Sequence, residues 1–229
     1  MGKPNIILLH GALGSVQQLQ PLAEILSVPY HVHMFNFQGH GTEPSGAFGI
    51  EAFSEQLAVF IRTNGLSNVP IFGYSMGGYV ALNYFIQHPE NTAKLVTLGT
   101  KFAWTLESAQ KEVAFLNPSF LEEKVPAYAT KLQQLHSGIG WKNLLQKTAD
   151  MMLSLGKNPL LTANNLAAVN NEVLVCVGGA DKMVSNQESE AYSSYLKNGF
   201  LRVLPSVEHP IEKAPLATIS QMLQDQFFI

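Results

Sequence analysis

Six short apolar runs constrain the fold of this chain more than any other feature of it. They read IILLH (6–10), YHVHMFNF (30–37), VPIFGY (69–74), KLVTLGT (94–100), EVLVCVGG (172–179) and FLRVLP (200–205). Most are nearly continuous rather than alternating, as expected for strands covered on both faces. Helical spacing fills the stretches between them. Strand, helix, strand, helix implies a parallel sheet joined by right-handed crossovers, so the fold class is α/β.

The helical stretches carry start and stop signals. Ser15-x-x-Gln18 and Ser185-x-x-Glu188 read as capping boxes, and a helix from Met76 to about His88 is stopped by Pro89. From Lys101 to Val169 no strand is expected, only helical pieces over roughly 106–116, 119–136 and 140–156. Ser119-x-x-Glu122 reads as a third capping box, and Pro126 splits its helix because it disfavours helical geometry at Val125. In the last piece Trp141, Leu144, Leu145, Thr148, Met151 and Leu155 share one face. The expected organisation is a core of residues 1–100 and 170–229 with a helical insertion at 101–169.

Composition removes several classes of function. Charged residues make up 14 % of the 229, and the 14 basic ones form no stripe, which argues against nucleic acid or anionic membrane as a partner. The single cysteine, Cys176, forbids an internal disulfide and any zinc site built on several cysteines, and within VLVCVGG it reads as a buried strand residue. The start, MGKPNIILLHG, lacks the plan of a signal peptide, and no apolar run approaches membrane-spanning length. A soluble, cytoplasmic protein is expected.

The run at 71–82 reads IFGYSMGGYVAL, with Ser75 between Gly73 and Gly77. If a strand ends here and a helix begins, Ser75 occupies a turn so tight that its backbone is strained. Glycines two residues to either side then remove the side chains that would clash. The hydroxyl is left pointing out at the carboxyl end of the sheet, beside the N–H of Met76 and a helix dipole suited to an oxyanion. A capping serine is the alternative, but a cap does not call for three nearby glycines.

A serine nucleophile needs a base, usually a histidine held by a carboxylate. In a parallel sheet the partners lie just after later strands. Asp181 follows EVLVCVGG and His209 follows FLRVLPSVE. A second oxyanion donor is expected from the first strand's end, where Gly11 allows a sharp turn: the N–H of Ala12, with Leu13 next in line. Other histidines carry weaker cases. His88 sits at a helix end, and His136 reads as a surface or interface residue of the insertion. His31 and His33 share a strand face without a carboxylate near enough to make a metal site. Lysine-based serine chemistry is disfavoured, since no lysine follows Ser75 at three residues.

LLHGALGS, GYSMGG, GGAD at 178–181 and EHPIEKAP at 208–215 together resemble the α/β-hydrolase fold superfamily, over nearly the whole chain. The order Ser75, Asp181, His209 is the order that fold requires. The resemblance implies a three-layer α/β/α hydrolase fold. Full-length members carry a leading strand pair; this chain starts directly on the strand before His10-Gly11, so about six mostly parallel strands are expected. It also implies that residues 101–169 form the helical cap. Two departures stand out. Members often carry D-x-R-G-H-G where this chain has NFQGHG, which removes an ion pair at Asn36 and Gln38 and leaves His40 as a structural hydrogen-bonding residue. Members often have Gly before the histidine where this chain has Glu208, whose carboxylate either favours an imidazolium or faces solvent.

The expected chemistry is hydrolysis of a small, moderately hydrophobic carboxylic ester or thioester through an acyl-enzyme, with no metal or organic cofactor. A small-molecule acyl substrate is the expected partner. Phe102, Trp104, Tyr128 and Trp141 of the insertion, with Leu13, are the expected substrate-binding residues. An acyltransferase using the same residues, and a ligand-binding or signalling protein with little turnover, are the alternatives.

Overall fold

The structure, a computed structural model, describes residues 2–227; Met1, Phe228 and Ile229, at the ends of the two expected core segments, lie outside the described residues. In chain order the elements are β1 (Asn5–Leu9), α1 (Val16–Leu26), β2 (His31–Met34), α2 (Ile50–Thr63), β3 (Ile71–Tyr74), α3 (Met76–Gln87) and β4 (Leu95–Leu98). Then come α4 (Leu106–Val113), α5 (Pro118–Lys124), α6 (Pro126–Leu135), α7 (Trp141–Lys157) and α8 (Ala163–Leu166). The chain returns to the sheet with β5 (Glu172–Gly178), α9 (Asn186–Tyr195), β6 (Asn198–Leu204) and α10 (Leu216–Phe227).

The six strands form one sheet in the order β2-β1-β3-β4-β5-β6, every neighbouring pair parallel. The nearly continuous apolar runs have a simple cause: successive side chains point to opposite faces, and both faces are covered. Ile7, Leu9, Ile71, Leu95, Val173 and Val175 pack with α2 and α3 on one side. Ile6, Leu8, Phe72, Val96, Leu174 and Cys176 pack with α1 and α10 on the other. Burial pushes the Cys176 thiol up to about 12, and it sits 3.5 Å from Met222 Sδ. The fold is therefore a three-layer α/β/α arrangement.

The strand order turns around at β1, which runs first to β2 on one side and then, through α2, to β3 on the other. The loops leaving β1 and β3 consequently meet at the carboxyl edge, the usual place for a site in such sheets. β2 is shorter than its apolar run because the chain leaves the sheet after Met34. The Phe37 N–H is taken instead by His10 Nε2 at 3.1 Å. At the opposite edge β6 leaves Phe200 exposed.

The three expected capping boxes each resolve differently. Ser15 does cap α1, but it accepts from the Gln17 N–H at 3.2 Å, and the Gln18 amide turns away to accept the Gly11 N–H at 3.3 Å. Ser185 accepts from the Glu188 N–H at 3.0 Å, but Glu188 does not reciprocate. Ser119 is inside α5, whose cap is Asn117, accepting from the Phe120 N–H at 3.0 Å. Pro126 does separate α5 from α6, with Val125 in non-helical geometry between them. α8 was not anticipated; a four-residue turn is too short to show helical periodicity. No helix among the described residues is long and apolar enough to cross a membrane.

Candidate active site

The turn from β3 into α3 is built by close backbone contact. A Cβ at Gly73 would lie 2.5 Å from Gly78 Cα, and one at Gly77 would lie 2.4 Å from the Leu9 carbonyl oxygen. Only glycine lets α3 start this close to both β3 and β1. The cost falls on Ser75, held at φ 50° and ψ −116°, a conformation that a non-glycine residue keeps only when its surroundings enforce it. They do so on both sides of the residue. The Ser75 N–H donates to Leu98 O at 2.8 Å, and its carbonyl accepts from the Gly78 N–H at 3.1 Å and from the Thr100 hydroxyl at 2.9 Å. Thr100 was not read from the sequence.

Asp181 and His209 reach the same rim from the loops after β5 and β6. The Ser75 Oγ lies 3.3 Å from His209 Nε2, and His209 Nδ1 lies 2.7 Å from Asp181 Oδ2. The other carboxylate oxygen accepts the N–H groups of Met183 and Val184 at 2.8 and 2.9 Å. Burial pushes the Asp181 carboxyl upward, but the hydrogen bond and charge of His209, with those two backbone donors, hold it below its ordinary value. An ionised carboxylate only accepts, so His209 carries its proton on Nδ1 and presents Nε2 as acceptor to the serine hydroxyl. The Tyr74 hydroxyl donates to the His209 carbonyl at 3.0 Å and steadies this loop. Glu208 takes the solvent-facing alternative, exposed and paired with Lys213 at 2.7 Å.

Ala12 and Met76 both border the space in front of Ser75. Met76 is the first residue of α3, so its N–H has no partner within the helix. Among the described residues neither the Ala12 nor the Met76 N–H meets a protein acceptor. Two backbone donors from different loops are thus available beside the hydroxyl.

That space is a cavity of ≈ 1080 Å³ between the sheet edge and the helices of 101–169. Its roof includes Trp104, Phe115, Leu116, Leu121, Tyr128, Met151 and Met152, and Leu13 lines it as well. Two expected lining residues are absent from it. Phe102 is buried beneath, stacked on Tyr192 at 5.2 Å. Trp141 packs with Leu121, Ala129, Leu132 and Leu145 in a small core internal to the helices. Glu188, misread as half of a capping box, accepts the N–H groups of Phe102 and Ala103 at 2.6 and 2.8 Å, where the chain leaves the sheet for α4.

Most of the remaining histidines serve the scaffold. His10 is fully enclosed, donating from Nδ1 to Gly11 O at 2.8 Å and accepting the Phe37 N–H at Nε2. Its ring stands 5.0 Å from that of His40, which is stacked on Phe48 and lies 3.2 Å from the Gln38 carbonyl. His136 takes the interface alternative: it is buried and bridges the helices of 101–169 to the core. His33 pairs with Asn5 at 2.8 Å while His31 is exposed.

A model of the alpha/beta hydrolase fold family matches residues 4–139. The pimeloyl-[acyl-carrier protein] methyl ester esterase of Aromatoleum aromaticum is 32% identical over 100 residues, 44% of this chain and 38% of that protein. A 2-succinyl-6-hydroxy-2,4-cyclohexadiene-1-carboxylate synthase of Yersinia pestis is 35% identical over 80 residues, 34% of this chain and 29% of that one. The matched stretches span well under half the length of these curated relatives. Among solved structures, the 2-hydroxy-6-oxo-6-phenylhexa-2,4-dienoate hydrolase of Rhodococcus sp. strain RHA1 superposes with a TM-score of 0.81 at 20% identity, covering 99% of this chain and 91% of that one. This last likeness is one of fold.

Proposed function

Because the chain belongs to the α/β-hydrolase fold family, we propose that it is a serine hydrolase cleaving small, moderately hydrophobic carboxylic esters or thioesters. The observation that carries this reading is the unbroken series Ser75 Oγ to His209 Nε2 at 3.3 Å and His209 Nδ1 to Asp181 Oδ2 at 2.7 Å.

His209 takes the Ser75 proton as the oxygen attacks the acyl carbonyl. Asp181 fixes the imidazole tautomer and stabilises the imidazolium that forms. The N–H groups of Ala12 and Met76 hold the tetrahedral oxyanion, each worth roughly 3 kcal/mol. His209 then returns the proton to the leaving group. Water repeats the sequence on the acyl-enzyme and regenerates Ser75.

The apolar roof supports an uncharged acyl group, and residues 101–169 act as a cap over it. The Aromatoleum relative, a methyl ester esterase, favours an ester over the other acyl compounds that this apparatus handles. The test is a fluorophosphonate probe followed by peptide mass spectrometry. Stoichiometric modification at Ser75, absent in Ser75→Ala, is expected. Folded protein that stays unmodified at Ser75 defeats the reading.

A further inference from the structure

The loop that supplies Ala12 is held in an unfavourable shape. Gly11 to Gly14 forms a tight turn closed by the Gly14 N–H to Gly11 O bond at 3.1 Å, with Leu13 at φ 56° in its third position. That position ordinarily takes glycine; a leucine there costs on the order of 1–2 kcal/mol. Something outside the turn must hold it.

Three contacts do. The Gln18 amide oxygen accepts the Gly11 N–H. The Leu13 side chain packs against the insertion's internal core, the cluster that includes Leu121, Leu132 and Trp141. The Leu13 carbonyl accepts from His136 Nε2 at 2.9 Å. His136 is itself fixed, since its Nδ1 accepts the Gly41 N–H at 2.8 Å. Two residues on, Gly138 donates to Gly41 O at 3.2 Å, and it lies so close to the core that a Cβ there would sit 2.1 Å from Glu43 O. The turn between α6 and α7 is therefore seated on the 41–43 loop, and both ring nitrogens are committed: Nε2–H donates and Nδ1 accepts. Burial lowers the His136 pKa, against the opposing effect of the Leu13 bond, which suits the neutral ring that this arrangement requires.

We infer that His136 is a positioning residue: it locks the Leu13 carbonyl so that the Ala12 N–H faces the reacting oxygen only when the α6–α7 turn is seated. Cap docking and completion of the oxyanion hole are then one event, made through one imidazole. The inference rests on the serine-hydrolase reading above.

The experiment compares wild type, Ser75→Ala, His136→Ala and His136→Gln on p-nitrophenyl esters of graded acyl length. Inhibition by a trifluoromethyl ketone, whose hemiketal oxyanion occupies the hole, and thermal unfolding are measured alongside. His136→Ala is expected to lower kcat by roughly 10- to 100-fold, less than the loss of a whole oxyanion donor. Trifluoromethyl ketone affinity should fall in step, with KM changing less than threefold. Glutamine, with one amide donor and one acceptor, should recover part of both losses. A lower melting temperature with kcat and ketone affinity intact overturns the inference, because a purely structural role predicts that pattern. Failure of both variants to fold also counts against it, since a positioning residue leaves the fold standing. If wild type itself shows no Ser75-dependent turnover, the serine-hydrolase reading has failed and the inference falls with it.

Discussion

Asp181 divides its two oxygens between the His209 ring, at 2.7 Å, and the backbone N–H groups of Met183 and Val184, at 2.8 and 2.9 Å. The backbone pair fixes which oxygen faces which way. In Asp181→Asn the amide oxygen would stay with those two donors, so the NH₂ would face His209 Nδ1. The imidazole would then have to carry its proton on Nε2, pointing at Ser75, where it cannot act as a base. A fall in kcat of about 10³- to 10⁴-fold with little change in KM is expected. Ester kinetics check this, and a variant within tenfold of wild type contradicts it.

The serine turn makes a stability prediction. In Gly77→Ala the new methyl would sit 2.4 Å from the Leu9 carbonyl, an atom of the central strand that cannot move aside cheaply. α3 would have to lift from the sheet, costing at least about 2 kcal/mol. The shift in urea midpoint measures it, and an unshifted midpoint would show that the contact is looser than described.

Glu188 reaches back from α9 to hold the N–H groups of Phe102 and Ala103, the first residues after β4 and its loop. Glu188→Ala leaves Phe102, which is buried, without an acceptor for its N–H. A loss of roughly 2–3 kcal/mol is expected, that of hydrogen bonds to a charged group. Amide hydrogen exchange at residues 102 and 103 should quicken in the variant; unchanged exchange there rules the tether out.

Acid should weaken this fold from just below neutral pH. Burial lowers the pKa of His10 to about 4, with the Gly11 bond opposing and His136 adding to the lowering. Burial also depresses His40 and His136. The unfolded chain protonates these rings near their ordinary value of 6.5 while the folded one does not. Above 6.5 they leave stability unchanged, and as pH falls from there toward about 4 stability is lost. Between pH 6.5 and about pH 5, His10 alone accounts for about 2 kcal/mol. Urea unfolding across that range checks it; a flat profile would mean that the rings protonate within the fold.

The sheet, the order of its strands along the chain and the meeting of residues 75, 181 and 209 could all be read in the sequence. Each rests on periodicity or chain order, which parallel crossovers translate directly into position. A side chain's choice between a near and a distant partner leaves no mark in the sequence. Glu188 and Gln18 both sit at capping-box spacing, yet their partners are Phe102, Ala103 and Gly11. Trp104 and Trp141 looked alike as aromatics of the insertion, because a helical face reveals that a residue is buried but not against what. For His136 the sequence allows a surface or an interface place and cannot choose between them, because its partners, Gly41 and Leu13, lie 95 and 123 residues away.

The lone cysteine has a practical consequence. Enclosed in the sheet, with its thiol resisting ionisation, Cys176 should stay silent toward maleimides in the folded protein. A cysteine introduced at an exposed helical position such as Lys124 would then take a dye or spin label alone. The unaltered chain is in effect a dark background against which a single dye on the helices above Ser75 reports alone.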